Sequence, residues 1–143
     1  MTYRPYDRIT TAGVSDGRPN NTGGTITKGV PVRINTSGEL DGIDVSSEND
    51  SLNIIGVAAD NIPTSSTGEV VSSGKVADIA TFAAFGDVLY IDKSGQLTNI
   101  KPAIGINGFV SGDFVIIVGV VAKNVDNPGL KDLVLNIQVV GQL

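Results

Sequence analysis

Along most of the chain, apolar residues alternate with polar ones in short bursts, and Gly, Ser, Asn and Asp separate the bursts. That spacing has the two-residue period of half-buried strands, not the period of a helix. Val30, Val32 and Ile34 alternate with Pro31, Arg33 and Asn35, Ser37-Gly38 turns the chain, and Leu40 to Val45 returns it. Pro31 has no N–H for a ladder, so its strand is expected at a sheet edge or with its donor-free side there. Ser46 to Ser51 is a polar loop with room for one helical turn capped by Ser46 or Ser47. Ile54 to Ala59 reads as a strand of small residues, in which Gly56 signals a bulge or the close approach of another backbone. Glu69–Ser72 and Lys75–Ile79 flank Ser73-Gly74 as a hairpin, and Ala80 to Phe85 reads as a short turn laying Phe82 and Phe85 over one end of the core.

Gly86 to Ile100 is the clearest strand-turn-strand unit. Val88, Tyr90 and Leu97 alternate with Asp87, Leu89 and Gln96 around the turn Asp92-Lys93-Ser94-Gly95. Gly105, Gly108 and Gly112 space a loop ahead of Phe114 to Val118, an apolar run expected to be buried on both faces. After the turn Asp126-Asn127-Pro128-Gly129, Leu133, Leu135, Ile137 and Val139 form one face of a closing strand.

Two blocks recur in the same order. Gly29, Ile34, Ser37, Gly38, Leu40 and Ile43 match Gly86, Ile91, Ser94, Gly95, Leu97 and Ile100 at a constant offset of 57 residues. Ile55-Gly56-Val57-Ala58-Ala59-Asp60-Asn61-Ile62 resembles Val118-Gly119-Val120-Val121-Ala122-Lys123-Asn124-Val125 at an offset of 63. A hairpin, a loop and a Gly-Val strand thus occur twice, which predicts an all-β barrel or sandwich built from two similar halves.

Residues 1–25 differ from the rest. Pro5, Gly13, Gly17, Pro19, Gly23 and Gly24 punctuate them and no apolar face is present, so they are expected to form an extended N-terminal arm on a single β-rich domain, 26–143. Tyr3, Tyr6 and Ile9 are its expected anchors, because a ring with a polar tip suits an interface.

Composition narrows the chemistry. The chain has 143 residues, 41% hydrophobic and 17% charged, enough to fold around one core. It has no Cys and no His, which removes disulfides, thiolate or imidazole zinc sites, and Ser-His and Cys-His nucleophiles. The net charge of −5 is not that of a nucleic-acid binder. The charge is uneven: residues 1–33 carry five basic and two acidic residues, and the remainder carries five basic and thirteen acidic ones. A mildly basic arm on an acidic body suits docking to an acidic protein surface. Met1 to Pro5 leads into polar sequence, so no signal peptide and no membrane partner are expected.

Near-motifs fail on spacing. Gly68 to Lys75 has one residue too many for a phosphate-binding loop, and Val76 stands where Ser or Thr is needed. Ser72-Ser73-Gly74-Lys75 spells a serine–lysine pair, but Gly74 makes it a turn. Asp41, Asp44, Glu48 and Asp50 lack the spacing of a calcium loop. Asp87 and Asp92 project to opposite faces of one strand and are not expected to converge. No catalytic residue, metal ligand or cofactor site is expected.

The stretches "IIGVAADN" (54–61), "GEVVSSGKV" (68–76), "FGDVLYID" (85–92) with its following "SGQLT", and "GDFVIIVGVVAKN" (112–124) resemble the small capsid decoration, or cement, proteins of tailed bacteriophages. The resemblance covers most of the chain. It implies a compact β-barrel or tulip-like body behind a polar arm, no catalysis, and a small homo-oligomer, a trimer above all, seated on the major capsid protein at the virion exterior after synthesis in the host cytoplasm. Tyr3, Arg4, Tyr6, Arg8, Ile9 and Arg18 are the expected capsid contacts. Gly-Val and Gly-Asp patterns also occur in head-fibre and tail-fibre domains, so a fibre-base attachment domain is the alternative.

Overall fold

The computed structural model describes residues 18–143. They form eleven strands and one helix: β1 (Arg18–Pro19), β2 (Pro31–Ile34), β3 (Leu40–Asp41), α1 (Glu48–Leu52), β4 (Ile54–Ala58), β5 (Thr67–Gly68), β6 (Val70–Val71), β7 (Lys75–Val76), β8 (Val88–Ile91), β9 (Leu97–Thr98), β10 (Phe114–Lys123) and β11 (Lys131–Gln142). The fold is all-β, as the alternation predicts. One sheet has the order β3-β2-β4-β6, a second β7-β11-β10-β8-β9, and β1 pairs β5 alone. Both large sheets keep free outer strands, so neither closes into a barrel.

The two halves repeat each other at the level of individual hydrogen bonds. β2 and β3 stand 57 residues before β8 and β9, end for end. Pro31, Val32 and Arg33 pair with Val57, Gly56 and Ile54, and their counterparts Val88, Leu89 and Tyr90 pair with Val120, Gly119 and Ile117. The same register shift interrupts both ladders. Val71 and Val70 pair with Val57 and Ala58, as Val134 and Leu133 pair with Val120 and Val121. Even the turns agree: Asn35 Oδ1 accepts from the Ser37 and Glu39 amides, and Asp92 Oδ1 accepts from the Ser94 and Gln96 amides. A short polar side chain that bonds its own backbone two residues on fixes each turn. Gly56 and Gly119 are both required, since a Cβ at either would collide with the carbonyl of Val71 or Val134 on the neighbouring strand.

The main core lies between the sheets. Val57 and Val71 from the first pack with Leu89, Ile91, Ile116, Val118, Val121 and Leu133 from the second. Burying each such aliphatic side chain contributes about 1.5–3 kcal/mol. A smaller cluster of Ile26, Val32, Leu40, Ala58, Ile62 and Val70 forms on the opposite face of the first sheet.

Local expectations fare unevenly. Ser47 does cap α1, its side chain accepting from the Asp50 amide. Pro31 lies inside a sheet, but Val30 O accepts from Ala58 N, so Pro31 faces away from β4. On that side β3 pairs only with Arg33 and Ile34, and the missing N–H costs nothing. Residues 69–79 are not a hairpin: β6 pairs with β4 and β7 with β11, so Ser72–Gly74 carries the chain from one sheet to the other. Val71 and Val76 each enter the core from their own sheet, which pairing with each other would not allow. In β8 the buried residues are Leu89 and Ile91, while Val88 and Tyr90 are only half-buried. Phe82 and Phe85 do not cover the core. Ala83 takes the buried place, and Phe82 is wholly exposed at 107%. The Ala83 amide bonds Thr81 Oγ1, and Lys131 Nζ donates to the Thr81 and Ala83 carbonyls, a bend that turns Phe82 outward.

Candidate interaction surface

Of the expected capsid contacts, Tyr3, Arg4, Tyr6, Arg8 and Ile9 lie outside the described residues. Arg18 is described: it is exposed in β1, opposite Gly68. The segment that follows Arg18 lies on the body and seals the smaller core. Asn20 is 2% exposed. Its Nδ2 donates to the Gly24 and Ile62 carbonyls at 2.7 and 2.8 Å, and its Oδ1 accepts from the Thr22 amide and hydroxyl. The Asn20 and Asn21 amides reach Ser66 O and Leu40 O. Every polar group of this buried amide is therefore satisfied, as burial demands.

The buried carboxylates are struts. Burial alone would raise the Asp113 carboxyl, but the Lys93 ammonium at 2.7 Å and the Val110 amide outweigh it and hold the group below the ordinary carboxylate value. Asp132 is held low chiefly by Asn124 Nδ2, against burial, with help from the Asp78 amide and Lys75. Asp41 and Asp50 flank the Arg33 guanidinium at 3.5 and 3.1 Å. The Asp44 carboxyl is lowered by the Ser46 hydroxyl and amide. Thus the acidic loop around residue 44 is organised by Arg33 and Ser46, and among the described residues no three metal-competent side chains converge. Asp87 accepts from Asn99 and the Ala84 amide, while Asp92 holds its turn. The two serve separate loops.

What remains accessible is shape and apolar surface. A groove of about 310 Å³ is lined by Thr25, Ile26, Asp41 and Gly42 from the first half and by Ser94, Gly95 and Gln96 from the second. A second groove, about 260 Å³, is lined by Phe82, Ala83, Thr98 and Asn99, the counterparts of Thr25, Ile26, Asp41 and Gly42. Ile100, which follows Asn99 in the chain, and Ile104, Ile106 and Val110 of the loop beyond it are also exposed, at 49, 63, 44 and 55%. These four occupy the loop in which the second half carries its six additional residues. Sequence reasoning passed over this loop because its glycine spacing gives no alternation to read. The one available signal is three isoleucines, Ile100, Ile104 and Ile106, within seven residues that form no strand.

The chain has no match among family models or among curated proteins.

Proposed function

We propose that this chain is a non-enzymatic structural protein of a phage virion, which binds the outer surface of the capsid and stabilises the shell as a small homo-oligomer. The observation that carries this reading is how the body distributes its polar and apolar groups. Its buried carboxylates are each committed to a lysine or an amide, whereas bulky apolar side chains stand in solvent around residues 82 and 100–110. Charges used as struts give rigidity, and exposed apolar patches mark surfaces that meet protein. The resemblance in the strands at 54–61, 85–92 and 112–124 supports the same reading. The arm, with Tyr3, Arg4, Tyr6, Arg8, Ile9 and Arg18, is assigned to the major capsid protein.

The test is co-sedimentation with undecorated capsids. Removal of residues 2–25 would also remove Asn20 and unseal Ile26 and Ile62, so the informative truncation is 2–17. The truncated chain should keep its β circular-dichroism spectrum and lose capsid binding. Undiminished binding would overturn the assignment of the arm, and failure of the full chain to bind capsids would overturn the reading.

A further inference from the structure

The two halves of the chain meet through an asymmetric joint. The turn of the second half, Ser94-Gly95-Gln96, inserts beside the first: a Cβ on Gly95 would stand 2.9 Å from Ile43 O, and the three residues wall the groove whose other side is Thr25, Ile26, Asp41 and Gly42. Gly95 and Ile43 are buried as a result. The turn is one surface of the joint, and the opposite wall of the groove, Thr25, Ile26, Asp41 and Gly42 with Ile43, is the other. Because the halves repeat, each surface occurs a second time.

Both second occurrences are unoccupied among the described residues. Ser37 and Gly38, the counterparts of Ser94 and Gly95, are exposed, and nothing lies within 4 Å of a Cβ placed on Gly38. Ile100, the counterpart of Ile43, is 49% exposed, and the groove formed by Phe82, Ala83, Thr98 and Asn99 lacks its third wall. The turn and the groove are on opposite halves, as they are in the joint.

We infer that the β2–β3 turn of one copy docks into the Phe82–Ile100 groove of a second copy, repeating between chains the joint made within each chain. This rests on the homo-oligomeric reading above and specifies its contact. The occupant is a second copy, because every copy presents at Ser37-Gly38, exposed, the counterpart of the turn that walls the equivalent groove within the chain. The contact is confined to the turn, since Leu40, the counterpart of Leu97, is already buried in its own half. Joining a turn to a different surface is head-to-tail association, which closes into a ring when the rotation between copies permits. It also explains why Phe82, a residue that Ala83 displaces from the core, remains on the surface as a large apolar side chain.

The test uses two variants of the full chain, Ser37→Arg on the turn and Phe82→Glu in the groove, with sedimentation velocity as the readout and circular dichroism to establish folding. The wild type should sediment as an oligomer. Each variant alone should fall to lower mass, with association weakened about 10- to 100-fold, the usual loss at a central contact. Mixed together, they should form a one-to-one dimer, because one retains a working turn and the other a working groove. Failure of the mixture to dimerise, or oligomers that withstand both substitutions, would overturn the joint. So would a monomeric wild type, including one that oligomerises only after residues 2–17 are removed, since its own arm would then be the occupant. Capsid binding that persists in any of these cases leaves the shell-binding reading standing.

Discussion

The two halves share a ladder and differ in what covers it. In the first, Ile26 and Ile62 are buried at 4 and 1%, sealed by Asn20 and the β1–β5 pair. In the second, the counterpart of Ile62 is Val125, 82% exposed, and the counterpart of Ile26 is the smaller Ala83. The second half is closed instead by charge: Lys131 and Asp132 stand where the first half has Gly68 and Glu69. The strand pattern therefore tolerates two kinds of closure, one apolar with an amide cap and one ionic. What is invariant between the halves is the backbone, and what varies is the outer surface, where partners are met.

The most damaging change should fall on what the halves have in common. Gly56→Ala and Gly119→Ala each drive a Cβ into a neighbouring carbonyl, that of Val71 or Val134. Backbone cannot yield as a side-chain tip can, so each should cost about 3 kcal/mol or more. Gly38→Ala, with open space but φ of +78°, should cost only about 1 kcal/mol. Urea midpoints at unchanged slope measure all three. A tolerated Gly56→Ala beside a ruinous Gly119→Ala would break the equivalence of the ladders.

Next come the acidic counterparts. Asp132 is 2% exposed and bonded to Asn124, the Asp78 amide and Lys75, whereas Glu69 is exposed. Asp132→Ala should cost about 2 kcal/mol by leaving the Asn124 side chain and the Asp78 amide without their acceptor, and Glu69→Gln less than about 0.5 kcal/mol. Both Asp113 and Asp132 lie below the ordinary carboxyl value in the folded chain. A depressed group contributes stability that is complete above its unfolded value, about 3.9. That contribution is lost as pH falls through the folded value. The chain should therefore weaken below about pH 4, and Asp132→Asn should flatten the acid limb of a stability–pH curve. An unchanged limb would remove Asp132 from the account.

Much of the ladder was legible before the structure because each register pair leaves a mark in sequence. Gly56 and Gly119 announce close backbones, and Ser-Gly at 37–38 and 94–95 announces the same turn twice. The crossing at Ser72–Gly74 was not legible. Two short Val-containing runs around a turn look alike whether they pair with each other or with different sheets, and the choice is made by strands far along the chain. The fate of Phe82 was hidden for a related reason: aromatic composition predicts burial, but the bend is held by Lys131, 48 and 50 positions beyond the two carbonyls it bonds. The interaction surface was least legible, since exposed isoleucines in a glycine-spaced loop have no period.

The remaining predictions concern the two covers. Asn20→Ala removes a buried amide that ties the Thr22 amide to the Gly24 and Ile62 carbonyls; those carbonyls keep Thr22 Oγ1 and the Ile26 amide as donors, so the loss should be about 1 kcal/mol. The counterpart position of Thr25 in the second half is Phe82, and there the same logic gives the smallest effect. A side chain wholly in solvent has no burial to lose, so Phe82→Ser should leave the unfolding midpoint of the dilute, dissociated chain within about 0.5 kcal/mol of wild type. The same substitution at concentrations that support association should lower the thermal midpoint relative to wild type, because an interface stabilises the state that forms it. A difference that grows with protein concentration assigns Phe82 to a contact between chains. A large loss already present at high dilution would instead place Phe82 in the packing of its own half, and the contrast between a sealed and an open groove would be lost.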